Sequence, residues 1–295
     1  MIYNTRSRKI FQFCNTIFMI VFAAIILLPF FNLLAISLSG YDPVQKRDVL
    51  LFPKQFNLNA YIQIVVEEVF QHSFLNTVWL TIVTTALTIL IATCAGYALS
   101  SKHLSHPKLI LFFFLIPMYF SGGLIPTYLV VNNYLKLADS YLALILPVVT
   151  SSFYIIIFRN NIMGLPKEII ESAEVDGAND YHVLFRIVMP IIVPTITAFI
   201  IINAVQHWNE WYRVMLYIKD SSKWTLQYYL RNLMMTELTP ERMAAMAASL
   251  DFETAVHADS YEAAALFITI LPILSIYPFC QRFFIHGVIT GAVKG

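Results

Sequence analysis

Residues 171–190 read "ESAEVDGANDYHVLFRIVMP". This polar stretch interrupts a chain that is otherwise strongly apolar, and its punctuation is that of helices. Just before it, Pro166 suits a helix start, with Lys167 and Glu168 in the first turn. Glu168, Glu171 and Glu174 crowd the end where a helix dipole favours acids. Gly177 stands where a C′ glycine closes a helix. Asp180 is placed to N-cap a second short helix running into Pro190. The spacing predicts helix, glycine bend, helix over 165–182. Ile170, Ala173, Gly177 and Ala178 fall on one face, where small residues permit close approach by something else. An ordinary helix lying on lipid carries Lys/Arg and bulky apolar groups. Acids and small residues suit a protein groove better.

The surroundings place this segment. The chain has 295 residues, 58% hydrophobic and 13% charged, with a mean hydropathy of +0.68. Soluble domains carry about 25% charge. Apolar runs occur at Ile17 to Leu38, Phe74 to Leu99, Leu109 to Val131, Tyr141 to Phe158, Ile187 to Trp208 (ending near 212) and Ala263 to Phe283. Each is long enough to cross about 30 Å of hydrocarbon as a helix. Continuous rather than alternating apolarity argues against barrel strands. The expectation is an all-α integral membrane protein of six spans forming one transmembrane domain. The first run is too long for a signal peptide and has no cleavage site.

Arg6, Arg8 and Lys9 precede the first run and predict a cytoplasmic N-terminus. Six spans return the C-terminus to the same side. Segment 159–190 is then the sizeable inner feature. Residues 219–260 form a long outer loop, with a short amphipathic helix expected around Thr225 to Met235. A net charge of +1 argues against a nucleic-acid partner. Cys14, Cys94 and Cys280 are far apart and read as small buried hydrophobes. The sequence carries no metal, redox or nucleotide motif of the CxxC, HExxH or GxxxxGK[ST] type.

The order Glu171-Ser172-Ala173, Gly177, Ile187, Met189-Pro190 resembles the "EAA" loop of binding-protein-dependent ABC importer permeases. Ser172 replaces the usual second Ala, and Met189 the usual Leu. The resemblance runs along nearly the whole chain. "AVQHWNEWYRVMLYI" is similar to the fifth-span signature of carbohydrate-uptake permeases of the maltose type. "FSGGLIPTYLVVNNYLKLADSYLALILP" resembles a complex-oligosaccharide subgroup that includes uronate-containing, alginate-type substrates. The tail "QRFFIHGVITGAVKG" resembles one of the two permease C-termini. The resemblance implies a type I ABC importer permease fold in a bacterial inner membrane. It implies that Glu171, Ser172, Ala173, Asp176, Gly177, Ala178 and Pro190 belong to a coupling helix that docks on a cytoplasmic ATPase. It further implies a second homologous permease, two ATPase copies and an extracellular or periplasmic sugar-binding protein. ATP and Mg would sit on the ATPase, with no cofactor on this chain and no enzymatic role for it. Residues 287–295 would meet the ATPase dimer.

A sugar path needs hydrogen-bonding side chains and flat aromatic faces. Asn203, Gln206, His207, Asn209 and Glu210 lie on the fifth run, interleaved with Trp208, Trp211 and Tyr212. Asn203, Gln206 and Glu210 follow helical spacing. Asn203 lies about 20 Å and Glu210 about 30 Å beyond Pro190 on a straight helix. An aromatic belt at the membrane interface explains Trp211 and Tyr212 equally well. The third run holds Pro117, Tyr119, Ser121, Gly122, Gly123 and Pro126, which predicts either a broken helix lining the path or a packing kink. The competing class is an ion-coupled secondary transporter. It would need charges at mid-membrane. Glu210 is the one acid within the predicted spans and stands near a span end.

Overall fold

The computed structural model describes residues 6–236 and 256–292, with positions 241, 244 and 248 between them; from 277 onward it describes backbone alone. The expectations for Cys280 and for the tail at 287–295 lie outside the described side chains. Every regular element among the described residues is helical. In chain order these are α1 (Arg6–Ser37), α2 (Tyr41–Gln45), α3 (Asn59–Val66), α4 (Glu68–Ser100), α5 (Pro107–Tyr119), α6 (Leu124–Leu129), α7 (Leu142–Ile145), α8 (Ser152–Met163), α9 (Lys167–Val175), α10 (Asp180–His182), α11 (Met189–Ile191), α12 (Val193–Trp208), α13 (Tyr212–Tyr217), α14 (Leu226–Met235) and α15 (Ala258–Ala292). The amphipathic helix expected near 225–235 is α14.

Among the described residues, three helices are long and apolar enough to cross a membrane: Ser7–Ser37, Glu68–Ser100 and Ala258–Ile276. Two bent pairs raise the number to five. The first pair, Pro107–Tyr119 with Leu124–Tyr134, turns through 109°. Its break is Phe120-Ser121-Gly122-Gly123, with Gly123 at φ +85°. The second pair, Asp180–Ile191 with Val193–Trp208, turns through 80°. Pro190 and Pro194 flank that corner, and each lacks the N–H that would carry a helix through it. The fifth apolar run is therefore not one straight helix, and heights measured from Pro190 along a single axis do not apply.

The fourth run, Tyr141 to Phe158, is also interrupted. It forms the one-turn α7, an irregular segment and then α8. Pro147 interrupts the donor ladder. Ser151 is extended at φ −107° and ψ 113° as the N-cap of α8. Serine and threonine hydroxyls at 150–152 offer the backbone alternatives to helix. Hydropathy sees none of this, because all of it lies within an apolar run.

Chain contacts divide the protein into two compact units: 1–70 with 230–271, and 71–229 with 272–295. In the first unit, the apolar window of α1 has none of its residues buried. Cys14 on it is exposed, contrary to its reading as a buried residue. The far end of α1 is anchored. Ala35, Val44 and Val49 form a small core, Ser37 and Tyr61 share a 2.7 Å hydrogen bond, and Tyr261 donates to Glu67 at 2.7 Å.

Among its described residues the second unit shows two hydrophobic cores. One gathers Leu80, Val131, Leu144, Ile145, Val214 and Tyr217. The other joins Ile89, Ala92 and Leu99 of α4 to Tyr154, Ile155 and Phe158 of α8, and onward to Ala173, Val183, Leu184 and Val188. Gly96 sets the spacing of α4 and α8. A Cβ there would stand 2.9 Å from the Arg159 backbone nitrogen. Close helix approach at small residues is the usual packing device in lipid.

Candidate functional site

The first site is built on α9. Its end is a Schellman closure: Ala178 N–H donates to the Ala173 carbonyl at 2.9 Å, and Gly177 N–H to that of Glu174 at 3.1 Å. Gly177 takes φ +82°, as a C′ glycine should. The next helix is capped by Asn179, not by Asp180. The Asn179 side chain accepts from His182 N–H at 2.9 Å. Asp180 falls inside the first turn and instead accepts a 3.2 Å hydrogen bond from the Tyr97 hydroxyl.

Ala173 and Ala178 face inward, whereas Gly177 does not. Ala173 is 7% exposed and belongs to the core shared with α4 and α8, and Ile170 and Ala178 pack against it. What approaches closely there is this chain's own core. Ser172, Asp176 and Gly177 remain exposed, and beside them stand two apolar side chains, Val175 (87% exposed) and Tyr181 (76%). Periodicity had pointed to the opposite face. An open hollow of about 390 Å³ beside them is lined by Ala173, Asp176, Gly177, Ala178, Asn179, His182 and Ile187. Glu171 forms an ion pair with Lys102. That hydrogen bond and charge hold the Glu171 carboxyl below its ordinary value and the Lys102 ammonium above its own. Pro190 is exposed in α11, just before the 80° corner.

The second site is a cleft of about 440 Å³. α12 contributes Asn203, Gln206 and His207; the link after it contributes Glu210, and α13 contributes Arg213. The opposite wall is the interrupted fourth run, with Thr150, Ser151 and Tyr154. Tyr154 donates to Gln206 Oε1 at 3.1 Å. Glu210 pairs with the Arg213 guanidinium and also accepts from the Arg213 N–H at 2.8 Å. Asn203 is 3% exposed, and its Oδ1 has no hydrogen-bond partner among the described residues. So Asn203, Gln206 and Glu210 do meet, though Glu210 does so from beyond the helix end.

The other residues expected on the path lie elsewhere. Trp208 is buried edge-on against Phe74, at 6.2 Å between ring centres. Trp211 packs edge-on against Tyr212. Asn209 turns back on Val205 and accepts from Gln227. Tyr119 is 74% exposed at the end of α5, and Ser121 accepts from Gly123 N–H within the break. Tyr154 was missed as a lining residue. Its signal was a hydroxyl within an otherwise apolar "YIIIF" run.

This chain is 36% identical to the protein LplC of Bacillus subtilis over 99% of its own length and 98% of the relative's. It is 34% identical to the polygalacturonan/rhamnogalacturonan transport system permease protein YtcP of the same organism, over 94% and 96%. The chain belongs to the carbohydrate ABC transporter permeases. No protein-family model matches it. This permease has the fold of a chain in a bacterial ABC transporter involved in the import of the acidic polysaccharide alginate. The TM-score is 0.89 at 24% identity, covering 96% of this chain and all of that one. A further chain, from an alginate transporter in complex with an alginate pentasaccharide-bound periplasmic protein, gives a TM-score of 0.54 at 15% identity. The permease is thus the membrane subunit of a binding-protein-dependent sugar importer, and is not itself the ATPase.

Proposed function

We propose that this subunit conducts an oligosaccharide through the cleft at Asn203, Gln206 and Glu210, and couples to ATP hydrolysis through α9 and the exposed residues around Gly177. It works beside a second permease, two ATPase copies and an extracellular sugar-binding protein. In this reading the chain crosses six times, counting the interrupted fourth run, and Arg6, Arg8 and Lys9 before the first run support a cytoplasmic side for both termini and segment 165–182. Relatives whose names carry polygalacturonan and alginate support an oligosaccharide containing uronate residues as the cargo.

One observation carries this reading. Ala173 of α9 and Tyr154 of the cleft wall belong to the same packed core, and Tyr154 reaches Gln206 directly. Tightly packed cores transmit displacements rather than absorb them. Movement of the coupling segment against an ATPase is thereby tied to the cleft. The test is Val175→Arg. Val175 touches solvent over most of its surface, so the change spares the core while placing a charge on the docking face. The variant permease should fold and insert normally, yet fail to co-purify with the ATPase. Intact co-purification with normal sugar-stimulated hydrolysis would remove the coupling assignment.

A further inference from the structure

The cleft contains one cation that is incompletely satisfied. Arg213 reaches Glu210 with one terminal nitrogen, while its Nε has no partner among the described residues. The side chain is 21% exposed and that of Glu210 16%. Glu210 is held twice, by the guanidinium and by the Arg213 N–H. It is therefore a fixed counter-ion that leaves part of the fork unused. Of the rest of the lining, Thr150, Ser151, Tyr154, Asn203 and Gln206 offer neutral donors and acceptors, His207 adds an imidazole whose Nε2 has no partner among the described residues, and Arg213 is the one Lys or Arg. A volume of about 440 Å³ lies within the range of small-molecule sites. The Arg213 Nε–H is buried and unpaired among the described residues, and a guanidinium in that state is matched in charge and hydrogen-bonding capacity by a carboxylate.

We infer that Arg213 is a specificity residue that receives the carboxylate of an acidic sugar unit, with Glu210 as its resting counter-ion. Neutral groups around it hold the sugar hydroxyls. This rests on the cleft being the sugar path.

The experiment uses the complete permease–ATPase complex and saturation-transfer NMR with two probes, trigalacturonate and its fully methyl-esterified, uncharged form. Wild type should bind the acid better than the ester. Arg213→Gln should weaken the acid about tenfold and leave the ester unchanged, since a charge-assisted hydrogen bond has been removed. Glu210→Gln should strengthen the acid several-fold, because the counter-ion no longer competes. Gln206→Ala should weaken both probes. Equal binding of acid and ester in wild type, or an acid signal indifferent to both charge changes, overturns the assignment of Arg213. If Gln206→Ala still weakens both probes in that case, the path survives and only the carboxylate is lost. If no variant affects either probe, the path itself fails. Should Arg213→Gln not assemble, Glu210→Gln decides alone: unchanged or weaker acid binding overturns the inference.

Discussion

Gly177 is the residue on which the proposed coupling segment turns. Its φ of +82° is the left-handed region, and a Cβ placed there would meet nothing within 4 Å of the chain. Steric freedom and backbone strain are therefore separable at this position. Asn tolerates the left-handed region, whereas a β-branched residue does not, at roughly 1–2 kcal/mol. Gly177→Asn should leave the permease and its ATPase association close to wild type. Gly177→Val should disturb the Schellman closure and reduce ATPase co-purification strongly. Equal behaviour of the two variants in a pull-down would show that φ at 177 is not the constraint. The glycine could be read from sequence because a helix end demands one. The direction of Ala173 could not. A stripe of small residues announces close approach but not the identity of what approaches, and here it is Val183, Leu184 and the α8 side chains of the same chain. The exposed Val175 and Tyr181 followed only once that direction was known.

Among elements, α4 and α8 meet where Gly96 lies against the Arg159 and Ile155 backbone. Backbone cannot yield as a flexible side chain does, and overpacking costs about 1–3 kcal/mol. Gly96→Val should lower the thermal midpoint of the purified complex, and Gly96→Ala should do so less. The link before α7 depends on Asp139 instead. It sits at φ +56°, accepts from the Lys219 and Asp220 N–H groups, and receives the Lys223 ammonium. The two backbone hydrogen bonds, then Lys223, hold its carboxyl below the ordinary range. The sign follows from linkage. Stabilisation is fully present above the ordinary carboxylate value of about 4 and is lost as pH falls through the lowered value. The melting midpoint should be flat in its Asp139 contribution from neutral pH down to about 5. Asp139→Ala should cost about 1 kcal/mol at neutral pH, and Asp139→Asn less, since an amide oxygen still accepts and Asn tolerates the left-handed backbone. A midpoint indifferent to Asp139→Ala would show that the clasp contributes nothing. At this scale hydropathy located every apolar run but not its continuity. Pro147, Pro190 and Pro194 interrupt helices inside runs whose average apolarity is unaffected.

For the whole molecule, the sequence was most informative about what kind of protein this is and least about which side chains line the proposed path. Tryptophans beside amides looked like sugar platforms, yet Trp208 packs on Phe74, because a helix carries its apolar faces to the nearest partner. The face itself can be interrogated in the working transporter. Gln206 is exposed while Asn203, one turn back, is 3% exposed. The two positions therefore report different things. With Cys14, Cys94 and Cys280 replaced, a cysteine at 206 should react with a water-soluble thiol reagent in the resting complex. A cysteine at 203 should react slowly there, because a buried thiol is reached only when the walls part. If ATP binding rearranges the cleft through the core shared with α9, the ratio of the two rates should change several-fold between resting and ATP-bound states, while a cysteine at 163 on exposed Met163 keeps a constant rate. Opening and closing of a path predicts opposite or unequal changes at 203 and 206. A static groove predicts the same two rates in both states. Silence at 203, 206 and 210 in both states, with full transport by each mutant, would mean that this face is packed against protein and conducts nothing.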